Sequence, residues 1–246
     1  MSTRPASIGI KRFALIGAVA GTAALAALGG CAYQGNGQGP GLDNPISRRS
    51  VWMSYLSGDD LRRACHAGAP DRLRLVYNAH WNDQVRVYEL DGGAAPLLRQ
   101  RVIGPMDLGH FSLSTAAEPL TGRLAQRPLS AAQYQAAAAA AAGAAQASPV
   151  PVDSTFASDS YYWVLSGCHQ GRFLFNAWQY NAMGGDNSRY NALTFPARLA
   201  ALDTTGIPLA WPHPMSGFDV ANQLQDRQLR WYLRVYADHV GPADGI

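Results

Sequence analysis

Two short segments carry the residues best suited to chemistry. Cys65-His66-Ala67-Gly68 and Cys168-His169-Gln170-Gly171 both read Cys-His-x-Gly. A cysteine beside a histidine can be half of a metal site, a thiolate with its general base, or one end of a disulfide. Metal ligation fits poorly, because contiguous residues point in different directions and structural zinc sites space their ligands by about two to four residues. A nucleophile needs base and orienting group brought to it in space, which contiguity does not supply. Histidines 66, 80, 110, 169, 213 and 239 form no H-x-H or H-x-x-x-H cluster, and C-x-x-C-H for haem attachment is missing. Between thiol and disulfide, the redox compartment decides.

The compartment is legible at the N-terminus. Arg4, Lys11 and Arg12 precede an apolar run from Phe13 to Leu28, followed by small residues and Cys31. A charged region, a short apolar core and a small-residue cleavage site make an export signal. The run is short for a membrane span, which takes roughly 20 residues, and has no basic flank behind it. Leu28-Gly29-Gly30-Cys31 resembles the lipobox of bacterial lipoproteins. The resemblance covers residues 1–31 and implies removal of 1–30, diacylglyceryl modification of Cys31 and acylation of its new amino group. By analogy with lipoprotein sorting, Ala32 in place of an aspartate implies the periplasmic face of the outer membrane in a Gram-negative cell. Each buried methylene contributes about 0.8 kcal/mol, so several acyl chains hold durably where one does not.

Loss of residues 1–30 removes Arg4, Lys11 and Arg12 and no acid, which takes the formal charge from +3 to zero. A neutral domain offers no global field for nucleic acid. Lys11 is the chain's only lysine. The mature protein therefore has no Walker-type phosphate lysine, Schiff-base lysine or Ser-Lys dyad. No cofactor is expected.

With export read from the signal and Cys31 assigned to lipid by the resemblance, two cysteines remain in an oxidising compartment. They are expected as a Cys65 to Cys168 disulfide. Its loop of about 100 residues would contribute about 4 to 5 kcal/mol in the chain-entropy model. No metal site is expected. Gly-x-Ser-x-Gly is absent, and Glu89 and Glu118 are the only glutamates, so no catalytic residue can be named.

The elements that must position these residues lie between 48 and 246, roughly 200 residues, enough for one core. Before them, residues 31–47 are rich in Gly, Asn and Pro and are expected to be a flexible lipidated tether spanning about 20 to 25 Å. A helix is predicted from about Val51 to Ala67, with Arg62, Arg63 and His66 late in it and Gly68 as its stop. Period-two patterns predict strands through DRLRLVYNA, QVRVYEL, LLRQRVI and LRWYLRVYA, and a hairpin through YYWVLSGCHQGRFLFNAW tipped by Ser166 to Gly171. The insert at about 128–152 is Ala-rich, with Ser130 as N-cap and Gly143 as a stop. A dozen or so residues is marginal for an isolated helix, so a poorly packed excursion is expected. The fold class is mainly β (α+β), an antiparallel sheet or sandwich with an N-terminal helix.

Arginine recurs with tyrosine on the polar positions of these strands: Arg72, Arg74, Arg86, Tyr88, Arg99, Arg101, Arg230, Tyr232, Arg234 and Tyr236. On one sheet face they would offer forked donors for phosphate or carboxylate and rings for sugars. The plainer account is that arginine is the mature chain's only cationic side chain, so any solvated strand face must use it. Together these features describe an envelope lipoprotein, leaning non-catalytic, that binds a protein partner or an anionic glycan. A periplasmic hydrolase acting on cell-wall material is the alternative.

Overall fold

The computed structural model describes residues 32–35, 48–104, 122–215 and 231–243. Cys31 and Arg230 lie outside the described residues. Among those described, no helix is long and apolar enough to cross a membrane.

The centre of the domain is a six-stranded antiparallel sheet. It contains β1 (Arg72–Ala79), β2 (Gln84–Asp91), β3 (Leu97–Ile103), β4 (Arg123–Pro128), β6 (Tyr161–His169) and β7 (Arg172–Tyr180). Their order is β4-β3-β2-β1-β6-β7, which puts β1 in the middle, hydrogen-bonded to β2 and β6. A smaller antiparallel sheet has the order β5-β8-β9, from β5 (Thr155–Ala157), β8 (Tyr232–Val235) and β9 (Val240–Pro242).

Both faces of the large sheet are covered, by different layers. On one, Leu73, Leu75 and Tyr77 of β1 join Tyr88, Leu90, Trp163 and Trp178. Over them lie α4 (Ala131–Ala147) and α6 (Phe195–Leu202), which bury Tyr134, Ala138, Phe195 and Leu199. On the other face, Val76, Val87, Val164 and Ala177 pack under α1 (Arg48–Ser57) and the small sheet, with Leu56, Phe156, Leu233 and Val235. Cross-strand partners share a face in an antiparallel pair. Val76 opposite Val87 and Val164, and Leu75 opposite Tyr88 and Leu165, therefore fix the two sets. Two short helical turns, α3 (His80–Asp83) and α5 (Ser188–Asn191), complete the order.

The expected fold class holds, and several local expectations are corrected. The first helix is two: α1 ends at Ser57 and α2 (Asp59–Ala64) restarts after Gly58, whose φ of 68° is left-handed. A Cβ on Gly58 would lie 2.5 Å from Ser166 Oγ, so the helix can approach β6 this closely only at a glycine. The β6–β7 hairpin turns at Gln170 and Gly171 alone, both at positive φ as a two-residue turn of this hand requires. Cys168 and His169 therefore belong to the strand, not to its tip. The strand expected through LRWYLRVYA is β8, which among the described residues runs over Tyr232–Val235.

The alanine-rich segment is the largest correction. Ser130 caps it as expected, in a reciprocal capping box with Gln133. The helix then runs through Gly143 to Ala147 and buries Tyr134, Ala137, Ala138, Ala141 and Ala142, one stripe at helical spacing. Small side chains on that stripe let the helix axis lie close to the sheet. Its carbonyl end is held by Asn176, whose Nδ2 donates to Ala145 O at 3.0 Å and Ser148 O at 2.9 Å. The segment is thus part of the core.

Candidate functional site

The strand arginines and tyrosines that could have lined one face are divided, among the described residues, between several. Arg72 and Arg74 stand opposite Asp91 and Glu89, on the α1 side of the large sheet. Arg86 and Tyr88 stand opposite Tyr77 and Leu75, on the α4 side. Tyr232 and Arg234 belong to the small sheet. Strand β1 carries its alternation as predicted, but it pairs with β2 in a register that puts the two arginine sets on opposite sides.

Each set has local work. Arg86 is 1% exposed. Its Nε donates to Gln84 Oε1 at 2.7 Å, and its guanidinium also meets Asp203, Ile207 O and Pro208 O. Tyr88 donates its hydroxyl to Asp203 Oδ2 at 2.7 Å. These bonds fasten the loop after α6 to the sheet. Arg72 pairs with Asp91 at 2.7 Å, and Arg234 pairs with Asp153 at 2.6 Å on the surface.

The twin Cys-His segments meet as one disulfide. Cys65 and Cys168 are bonded with Cα atoms 5.3 Å apart, joining the end of α2 to β6. His169 Nδ1 lies 2.7 Å from Asp71 Oδ2 without hydrogen-bond geometry, and the adjacent sulfur is oxidised and cannot serve as a thiolate. His66 is exposed, its Nδ1 against Ala67 O at 3.0 Å. Among the described residues no three His, Cys, Asp or Glu side chains gather around a common metal position.

The densest charged cluster surrounds Arg74, which is 1% exposed. Its Nη1 and Nη2 donate to the two oxygens of Asp60 at 2.8 and 2.9 Å, and Nη1 also donates to Tyr55 O at 2.9 Å. Its Nε donates to Glu89 Oε1 at 2.8 Å, and Tyr55 donates its hydroxyl to the same oxygen at 3.1 Å. The guanidinium carbon lies 3.7 Å from the centre of the Tyr55 ring and 5.2 Å from that of Tyr33. Burial alone would raise Glu89; Arg74 beside it more than offsets this and holds its carboxyl below the ordinary value of 4.5. Burial dominates at Tyr55 and pushes its hydroxyl well up, so the ring stays neutral.

Tyr33 comes from the segment expected to be a tether. Its N–H donates to Ser54 Oγ at 3.0 Å, and its carbonyl accepts from Arg63 Nη2 at 2.9 Å. Its ring meets Tyr55 edge-on, with centroids 4.8 Å apart. Residues 32–35 therefore dock on α1 and α2, a departure from the flexible tether expected over 31–47.

Beside Tyr33 opens a cleft of about 230 Å³. Tyr33 and Tyr55 form one wall, and the outer part of the sheet forms the floor with Glu89, Arg99, Arg101 and Leu124. Arg99 and Arg101 stand opposite Glu89 and Val87 across β2 and β3, on the α1 face. Arg99 is also paired with Asp91. Leu124, on the sheet's edge strand β4, is 62% exposed. The cleft thus combines aromatic rings, two guanidiniums and an exposed apolar side chain. Its one lining carboxylate, Glu89, is already matched by Arg74.

Of the strongest candidates from the sequence that fall among the described residues, Arg74 stands next to this cleft. Arg99 and Arg101 carry the same Arg-x-Arg signal and line it. Tyr33, Tyr55 and Glu89 had no local signal: one sits in a Gly-rich stretch, one in a helix pattern, and one is an isolated glutamate. The chain matches no protein-family model, no curated protein and no solved structure.

Proposed function

We propose that this protein is a lipid-anchored envelope protein, held through Cys31 at the periplasmic face of the outer membrane, whose domain binds an anionic glycan and does no catalysis. The observation that carries the binding role is the cleft between Tyr33 and Leu124, where Arg99 and Arg101 lie beside two aromatic rings. Guanidinium groups give two-point donors to phosphate or carboxylate, and rings stack on the apolar faces of sugars. Glu89 does not spoil the site for an anion, since Arg74 and Tyr55 both donate to it. The lipobox resemblance and the export signal supply the anchor and the compartment.

The two parts separate in experiment. Labelled fatty acid enters the wild-type chain and not Cys31→Ala; label retained in the variant would reject the anchor. Titration calorimetry of the mature domain with a phosphorylated core oligosaccharide gives saturable binding. Arg101→Ala weakens it about tenfold, the loss of one charge-assisted hydrogen bond. Equal affinity in the variant, or no binding by either protein, would reject the cleft as the site.

A further inference from the structure

The docked segment bears on how the domain stands relative to its membrane. Tyr33 is held at three points: its N–H on Ser54, its carbonyl on Arg63 and its ring on Tyr55. Gly35 continues the contact at φ 73°, so close to Asp60 that a Cβ would lie 2.8 Å from Oδ2. Cys31 precedes Tyr33 by two residues. Two residues of extended chain span at most about 7 Å. Whatever is attached at residue 31 is therefore held within that distance of Tyr33, and Tyr33 is itself a wall of the cleft.

We infer that the domain sits directly on the bilayer that holds its acyl chains, with Tyr33 as the clamp and the cleft facing the phosphate-bearing headgroups of that membrane. This rests on the acylation of Cys31 and the cleft proposed above, and it narrows the cleft's ligand from an anionic glycan to an anionic group carried on a membrane-resident headgroup. The headgroup layer is about 5 to 8 Å deep on each side of the hydrocarbon, comparable with the reach from residue 31 to the clamp. A free sixteen-residue tether would let the domain drift about 20 to 25 Å away. The face brought down is suited to that layer. Arg63, Arg99 and Arg101 lie around the clamp and cleft, and Leu124 projects from the edge strand. The mature chain is neutral as a whole, so attraction to anionic lipid must come from such a local cluster, and it acts only within a Debye length of about 10 Å.

Hydrogen exchange tests this without a new label. The mature chain is coupled through its Cys31 thiol to a maleimide phospholipid, with the Cys65–Cys168 disulfide left intact, in phosphatidylcholine vesicles with and without phosphatidylglycerol. The coupling is synthetic, so the result does not depend on whether the cell acylates Cys31; fatty-acid labelling reports that separately. In the uncoupled chain the Tyr33 amide exchanges slowly, and Tyr33→Ala leaves the pattern of the large sheet unchanged. On phosphatidylglycerol vesicles the outward amides of β4 slow about tenfold, while β7 at the opposite edge does not change. Tyr33→Ala, which loses the ring on Tyr55 and keeps the main-chain bonds to Ser54 and Arg63, reduces the slowing, as does Arg99→Gln with Arg101→Gln. Fast exchange at Tyr33 in the free chain would overturn the clamp. Equal protection at β4 and β7, no protection at either, or full protection in Tyr33→Ala would overturn the orientation. Soluble glycerol phosphate producing the same protection at β4 would assign the cleft to a free phosphate and overturn the membrane-resident ligand.

Discussion

Arg74 and Asp60 meet two-on-two, Nη1 to Oδ1 at 2.8 Å and Nη2 to Oδ2 at 2.9 Å, with both side chains almost completely withdrawn from solvent. The pair ties α2 to the central strand of the sheet. Arg74 also reaches Glu89 on β2 and the Tyr55 carbonyl on α1. One guanidinium thus joins four elements, and it sits immediately behind the wall of the cleft. Paired burial of this kind contributes little net stability compared with well-packed apolar groups, whereas leaving one partner alone is costly.

Asp60→Ala should therefore destabilise the domain by about 3 to 5 kcal/mol, because it strands most of a buried guanidinium. Asp60→Ala combined with Arg74→Met and Glu89→Gln should recover part of that loss, since no uncompensated buried charge then remains. Urea denaturation followed by circular dichroism of the oxidised mature chain measures both. A single variant within about 0.5 kcal/mol of wild type, the range of ordinary surface changes, would show that the pair is not buried in solution.

The alanine helix gives an opposed pair of predictions. Gly143 lies in its interior with open space where a Cβ would stand. Gly143→Ala should stabilise by up to about 1 kcal/mol, through helix propensity alone. Ala138 is fully buried against the sheet, and Ala138→Leu should destabilise by about 1 to 3 kcal/mol through overpacking. If the segment were the loosely attached excursion that its composition suggests, the leucine would cost nothing. Thermal denaturation of the two variants separates these outcomes.

How far the sequence reached follows from what each signal encodes. Local signals survived: Ser130 as a cap, the strand alternation of β1 and β2, the glycine of the β6–β7 turn, and a cysteine pair whose partner choice needed only compartment and count. What failed was long-range. Arg74 and Arg86 looked solvated because alternation tells the two faces of a strand apart without saying whether the second face is covered. Here α1 covers one and the loop after α6 covers the other. The alanine run looked unpacked because low complexity hides a stripe whose small size is what close approach to a sheet requires. Tyr33 was invisible because its partners, Ser54, Tyr55 and Arg63, lie about twenty to thirty residues further on, across a Gly-rich segment that composition reads as tether.

Acid should loosen the wall of the cleft as Glu89 is protonated, which its partners postpone to below the ordinary glutamate range. Glu89 is mostly buried, with 19% of its side chain exposed, and its partners hold its pKa below 4.5 despite burial. A carboxylate depressed in the folded state stabilises that state fully above its unfolded pKa. The contribution falls away as pH drops from there through the lower folded value. Wild type should therefore lose stability as pH falls below about 4.5, the ordinary glutamate value, whereas Glu89→Gln should be less stable at neutral pH and flatter over the same acid range. Near-ultraviolet circular dichroism follows the environment of Tyr55, which donates to Glu89. Its acid-induced change should be present in wild type and reduced in Glu89→Gln. Identical acid limbs for the two proteins would mean that Arg74 does not hold Glu89 ionised, and the anion-compatible floor of the cleft would lose its electrostatic basis.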